Sequence, residues 1–336
     1  MTAPPKQGRE AASDRFAFRP DADRAGRVAA DVREGLADSL TAALGALDKD
    51  ALARVADLVA RIRAGPVASA VFGAYTELVE AIFADEIATA RRIADDLASP
   101  DFGRVDGLRT ITLRDGDLGP GGAARYRRLL DEDPEVGTAL RALTPAEFGP
   151  ASERVHEALA LLDAGAPDIV GELRALVNEI VLVETAGGGF FGGASSFQLW
   201  GALFLRLEPA ATRYEIAESL AHEAAHALLF GFGMGKPLVE NPDEERFASP
   251  LRFDVRPMDG VVHATYVVAR MHYTAASLLA SGALAEAEQP SVRAALAHHA
   301  RRFADGAAVI VSHARWSPAG EAAFADASAY MQSAAN

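Results

Sequence analysis

Residues 212–235, TRYEIAESLAHEAAHALLFGFGMG, decide how the rest of the chain is read. Thr212 with Glu215 three positions on has the spacing of a capping box, in which hydroxyl and carboxylate each satisfy an orphan backbone N–H at a helix start. The apolar run through Ile216, Leu220, Leu228, Leu229 and Phe230 then reaches the glycines of Gly231-Phe232-Gly233-Met234-Gly235, which stop helices. One helix with both ends named is expected, and it carries His222-Glu223-Ala224-Ala225-His226. Residues four apart lie one above the other on a helix face, so the two imidazoles can address one cation, with Glu223 beside them. With eight histidines in 336 residues, chance would put this motif in about one or two sequences per hundred of such composition. The helix is too apolar to be exposed all round, and burying two histidines and a glutamate without a partner is costly. A metal centre is the expectation.

The chain has no cysteine, which leaves His, Asp and Glu as ligands and excludes disulfides, thiolate zinc sites and cysteine-held clusters within it. A formal net charge of −14 argues against broad contact with a nucleic-acid backbone, which needs a cationic surface. No apolar run approaches the roughly 20 residues of a membrane span, and no basic-then-apolar signal pattern opens the chain. A cytoplasmic protein without nucleic-acid or membrane partners is expected.

Residues 1–22 are rich in Pro, Ala and charge and read as a loose arm. Residues 23–150 read as a helical domain: Val28, Val32, Leu36 and Leu40 recur at four-residue steps, and Leu52, Val55, Leu58, Val59 and Ile62 mark a helix ending at Gly65-Pro66. Within it, residues 108–113 alternate and read as a strand. The turn-rich residues 134–150 read as a seam, after which 151–330 form the metal-binding catalytic domain. There Ile169 to Ile180 give a helical face, Ile180-Val181-Leu182-Val183 is a short apolar run, and residues 197–205 read as a strand feeding the motif helix. The fold class that follows is mainly α with a small β-sheet (α+β), the motif helix packed beside a short sheet and the N-terminal half helical.

Two histidines do not complete a site. Glu240, Glu244, Glu245, Asp254, Asp259, His263 and His272 are the downstream candidates for a third ligand. Glu244 and Glu245 lie near the spacing of a thermolysin-type zinc peptidase, but within a turn-like stretch, and the metzincin continuation is absent. His263 is favoured because it begins an apolar helix entered through Asp259-Gly260. His272 lies two and a half turns deeper; His298, His299 and His313 carry no pattern.

The segment Ser249-Pro250-Leu251-Arg252-Phe253-Asp254-Val255-Arg256-Pro257-Met258-Asp259-Gly260-Val261-Val262-His263, taken with the motif and with Gly193-Ala194-Ser195-Ser196-Phe197, resembles the HExxH-motif proteins of ribosomal peptide natural-product clusters. These look like iron- and 2-oxoglutarate-dependent peptide β-hydroxylases, some of them fused to a radical SAM domain. The resemblance spans roughly residues 165–280. It implies Fe(II) held by His222, His226 and His263, with Asp254, Asp259 or Glu240 as carboxylate alternatives for the third place. It implies 2-oxoglutarate gripped by Arg252 or Arg256 with Ser249 nearby, since a planar guanidinium suits a carboxylate. A ribosomal precursor peptide would be the substrate and a separate peptide-modifying enzyme a partner, because a cysteine-free chain is expected to be the stand-alone form. Glu223, the general base of a hydrolase, would hold a ligand or a water instead.

Two other functions stay open. One is a zinc metallopeptidase in which Glu223 activates water and residues 197–205 supply an edge strand for substrate pairing. The other is a non-catalytic peptide-binding scaffold. The glycine-rich stretch 187–193 lacks the Lys-Ser/Thr of a phosphate loop; Ser196 and Gln198 after it are weak candidates for a substrate channel.

Overall fold

The computed structural model describes residues 14–131, 139–187, 191–249 and 254–335. In chain order these form α1 (Ala22–Leu47), α2 (Lys49–Ala64), α3 (Ala70–Phe83), α4 (Ile87–Leu97), β1 (Arg109–Thr112), α5 (Asp115–Leu118), α6 (Gly122–Asp131), β2 (Leu140–Ala142), α7 (Pro145–Gly165), α8 (Pro167–Leu176), β3 (Glu179–Thr185), β4 (Gly193–Ser195), a 3-10 turn (Phe197–Leu199), β5 (Ala202–Leu205), α9 (Arg213–Gly233), α10 (Met258–Ser281), α11 (Gln289–His313) and α12 (Pro318–Ala334). The chain is mainly helical with a small mixed sheet of five strands. No helix among the described residues is long and apolar enough to cross a membrane.

The chain forms two compact units, and neither is continuous in sequence. One comprises residues 29–156 and 176–211; the other comprises residues 1–28, 157–175 and 212–336. The expected boundary near residue 150 is therefore not where the units divide. Residues 145–150, read as the end of a turn-rich seam, open the 21-residue α7, with Pro150 as its sixth residue, where proline forgoes one helical bond to the carbonyl four residues back. The expected 151–330 domain is split because the strands at 179–205 group with residues 29–156.

The first unit holds the sheet, in the order β1-β3-β5-β4. β3 pairs parallel with β1 from Arg109↔Glu179 to Thr112↔Leu182 and parallel with β5 from Glu179↔Ala202 to Leu182↔Leu205, while β2 pairs antiparallel with its last residues. Ile180 to Val183 and all of β5 are buried, as apolar runs without alternation require. The expected strand 197–205 is shorter than the sequence implied. Ser196 accepts from the Gln198 N–H to start a 3-10 turn, and Gly201 takes a left-handed φ of 91° before the chain extends. β5 also pairs on both sides, with β3 and β4, so it has no free edge for a substrate strand. Tyr126, Leu129, Leu130, Val181, Leu199 and Phe204 centre the core. Within it the fully buried Glu179 accepts from Tyr126 Oη at 2.6 Å and from Arg109 Nη2 at 2.6 Å. Burial and the adjacent Glu179 carboxylate push the Tyr126 phenol well up.

In the second unit α9 to α12 carry the motif histidines and their neighbours. The capping box at Thr212 and Glu215 is formed. At the other end Met234, not a glycine, takes the left-handed conformation (φ 51°), while Gly231 and Gly233 lie inside the helix. α10 begins earlier than expected, at Met258 after Pro257, so Asp259 and Gly260 are already helical and His263 sits in the second turn. The segment after α9 is tied down at Leu238, whose N–H donates to Asp259 Oδ1 (2.7 Å) and whose carbonyl accepts from Ser317 N (3.1 Å). Gly320 is required there: a Cβ would meet the Leu238 carbonyl oxygen at 2.0 Å.

Of the expected loose arm, residues 1–13 lie outside the described residues, but the rest is docked. Phe18 is fully buried, stacked on Tyr330 at 4.8 Å between centroids and edge-on to Tyr266 at 5.6 Å, and its N–H donates to Asp326 Oδ2 at 2.6 Å. Two aromatics, Phe16 and Phe18, in an otherwise polar stretch carry no helical periodicity, which hid this anchor from sequence. Phe18→Ala is expected to cost about 3–5 kcal/mol, read as a lower urea midpoint; a loss under about 1 kcal/mol would mean that the segment is not anchored there.

Candidate metal centre

The four-residue spacing on α9 is carried further than the motif. Tyr214, Glu218, His222, His226 and Phe230 follow one another at four-residue steps, so each is the neighbour of the next along one ridge that winds about the helix. His222 and His226 are half-buried and Glu223 is buried at 5% exposure. The two imidazoles approach through Nε2 atoms 3.2 Å apart. Two nitrogens each about 2.0–2.1 Å from one ion stand about 3.0–3.4 Å apart, so this separation fits a shared cation.

His263 reaches the pair from α10. Its Nδ1 lies 3.1 Å from Nδ1 of His226, the two rings are nearly parallel (19°) at 5.4 Å, and Phe230 covers it with its ring at 5.2 Å. The structure thus brings together the three histidines singled out from sequence. They form a row and not a ring, because His226 turns Nε2 to His222 and Nδ1 to His263. Among the described residues no group of three His, Asp or Glu side chains is arranged to hold one ion jointly. The pair His222–His226 fits a cation as it stands; His263 is in reach through the opposite edge of the middle ring.

The remaining candidates fall apart from this row. Asp259 lies behind His263, with Oδ2 3.7 Å from its Nε2, and its other oxygen is held by Leu238. Asp254 pairs with Arg256 at 2.8 Å. Glu240 and Glu244 are exposed, and Glu245 binds Arg315 at 2.9 Å and Asn241 at 2.9 Å; the arginine contact holds its carboxyl below the ordinary range. Arg252 lies outside the described residues. Arg256 exchanges both backbone hydrogen bonds with Phe247 at 2.8 Å, which closes the loop carrying the half-buried Ser249. Ser196 and Gln198 belong to the other unit, where Ser196 caps the 3-10 turn and Gln198 is exposed. The Glu223 Oε1 is 3.9 Å from His222 Nε2, on the nitrogen that faces His226.

Sequence reasoning passed over three neighbours. Glu218 Oε1 takes a hydrogen bond from Tyr214 Oη and pairs with the buried His299 through Nε2 at 2.7 Å. Burial and the Glu218 charge raise the Tyr214 phenol. Met271 Sδ stands 3.3 Å from His222 Nδ1. The signal for Tyr214 and Glu218 was the same i, i+4 step that marks the motif; nothing in sequence pairs Glu218 with His299 or His222 with Met271, which lie on other helices. His272 is buried against Tyr330 Oη at 2.9 Å, and burial with the nearby His299 lowers it to about 4. His298 and His313 are exposed, the latter against Phe247. Comparison with protein-family models and with curated proteins finds no match to the chain.

Proposed function

We propose that the protein is an Fe(II)- and 2-oxoglutarate-dependent oxygenase that hydroxylates the β-carbon of a residue in a ribosomally made precursor peptide. The reading is carried by the histidine row: an Nε2 pair at cation-sharing distance, a third imidazole in contact with it, and a buried glutamate alongside. The sequence context from Ser249 to His263 supports this chemistry over others. His222 and His226 would hold the ion through the Nε2 pair, and His263 would become the third ligand by turning from the Nδ1 edge of His226 to the Nε2 side; an all-nitrogen set is a variant of the two-histidine, one-carboxylate arrangement of such enzymes. Bound there, iron and the keto acid supply the oxidising power for inserting one atom of dioxygen into a C–H bond, the keto acid leaving as succinate and carbon dioxide.

The chain's own residues bind and orient. Arg252 or Arg256 would take the distal carboxylate of 2-oxoglutarate, Arg256 at the cost of its contact with Asp254. Phe230 shields the His263 end of the row from water, and Glu223 steadies His222 or a water beside it. Incubation with Fe(II), 2-oxoglutarate and precursor peptides encoded nearby is expected to give a mass gain of one oxygen atom together with succinate. No succinate with any such peptide would overturn the reading.

A zinc peptidase is the second reading, favoured by one observation: the Glu223 carboxylate lies on the Nε2 side of His222, where a general base would be needed. The paired β5 takes away the edge strand that sequence had suggested for it. Peptide cleavage without 2-oxoglutarate would decide for this reading.

A further inference from the structure

A thioether sulfur has lone pairs and no hydrogen, so it accepts hydrogen bonds and never donates them. Met271 on α10 places such a sulfur 3.3 Å from Nδ1 of His222. Across that distance the contact is attractive only when Nδ1 carries the proton; otherwise two lone pairs face each other. A neutral imidazole protonated at Nδ1 has its free lone pair on Nε2, and Nε2 is the atom facing His226 at 3.2 Å.

We infer that Met271 is a positioning residue: it fixes the tautomer of His222, so that the Nε2 lone pair of that imidazole faces the point where a cation is taken up. A carboxylate behind a ligating imidazole fixes the tautomer and also raises its basicity. A thioether fixes the tautomer and adds no charge. The two ends of the row thus differ, with sulfur behind His222 and the Asp259 carboxylate behind His263.

The tautomer is read without metal, and only the affinity measurement rests on the proposed role of His222 as a ligand. In full-length, metal-free protein with 15N-labelled imidazoles, long-range 1H–15N spectra assigned with His222→Gln are expected to show His222 protonated at Nδ1 alone. Met271→Leu keeps the volume but removes the acceptor and is expected to give mixed tautomers. Met271→Gln, whose amide oxygen accepts, is expected to restore one. Competition with a chelator for Zn(II) should be weakened about three- to tenfold in Met271→Leu and be near wild type in Met271→Gln. Protonation of His222 at Nε2 in the wild type, or a tautomer unchanged in Met271→Leu, overturns the inference even if zinc binds. The expected tautomers in a wild type that binds no zinc would support it and instead overturn the metal reading. Should Met271→Leu fail to fold, the wild-type tautomer together with Met271→Gln decides.

Discussion

Glu172→Gln is expected to destabilise the protein by about 3–5 kcal/mol. Glu172 is 3% exposed and stands between two buried arginines: Arg270 Nη1 at 2.8 Å from one oxygen and Arg24 Nη2 at 3.5 Å from the other. The Asp21 N–H adds a bond of 3.3 Å to the second oxygen. Burial works against the charge on Arg270, but Glu172 and Tyr266 together outweigh it and the guanidinium pKa is raised. Gln keeps the volume and loses the charge, which leaves two guanidinium ions in the interior without a carboxylate. Their other contacts, the Arg19 carbonyl for Arg24 and the Phe18 ring 5.0 Å from the Arg270 guanidinium carbon, stabilise a cation only partly. The cost therefore comes from the stranded cations and not from the lost bonds. A triple change of Glu172, Arg24 and Arg270 to apolar residues of similar size removes all three charges together and is expected to recover most of the stability. Urea midpoints of the single and triple variants check this; a single-variant loss below about 1 kcal/mol would mean that water reaches the cluster.

This cluster also marks the limit of what the sequence discloses. The motif helix was legible at both ends because its signals are local: a cap, a period of 3.6 and a stop, all within residues 212–235. The strand at 109–112 was legible as an alternating run, while 179–185 stood out only as a short apolar run, which periodicity alone does not separate from buried helix. Their grouping with residues 29–156 was not legible, because parallel pairing joins stretches some 70 residues apart and leaves no local mark. His222 and His226 declare themselves by spacing. His263 was chosen from seven candidates on its context, and only the fold supplies the 3.1 Å contact that favours it over His272, which turns to Tyr330. Arg24, Glu172, Arg270, Phe18 and Met271 had no pattern to betray them. Each is one residue of a contact whose other members come from distant parts of the chain.

Removing the middle histidine should have the largest effect on the site itself. His226 is the only member of the row in contact with both others, through different ring nitrogens. His226→Ala and His222→Ala each break the Nε2 pair and are expected to weaken Zn(II) and Fe(II) binding by more than about 100-fold, beyond the 10–100-fold that partners lying behind ligands command. His263→Ala leaves that pair intact. If His263 completes the centre, its loss should equal that of His226→Ala; a loss near tenfold, with a greater one in Asp259→Asn, would transfer the third place to Asp259. Asn at 259 keeps an oxygen for the Leu238 N–H, so this variant tests ligation and not the tie beneath it. Glu223→Gln completes the comparison. Glu223 stands 3.9 Å from His222 Nε2, and as a supporting residue its loss should weaken metal affinity by about 10- to 100-fold and leave hydroxylation measurable. As a general base its loss should lower turnover by about 100- to 10,000-fold while the metal stays bound. Metal retained and activity abolished in Glu223→Gln, in a reaction that needs no 2-oxoglutarate, would make the same histidine row the centre of a hydrolase.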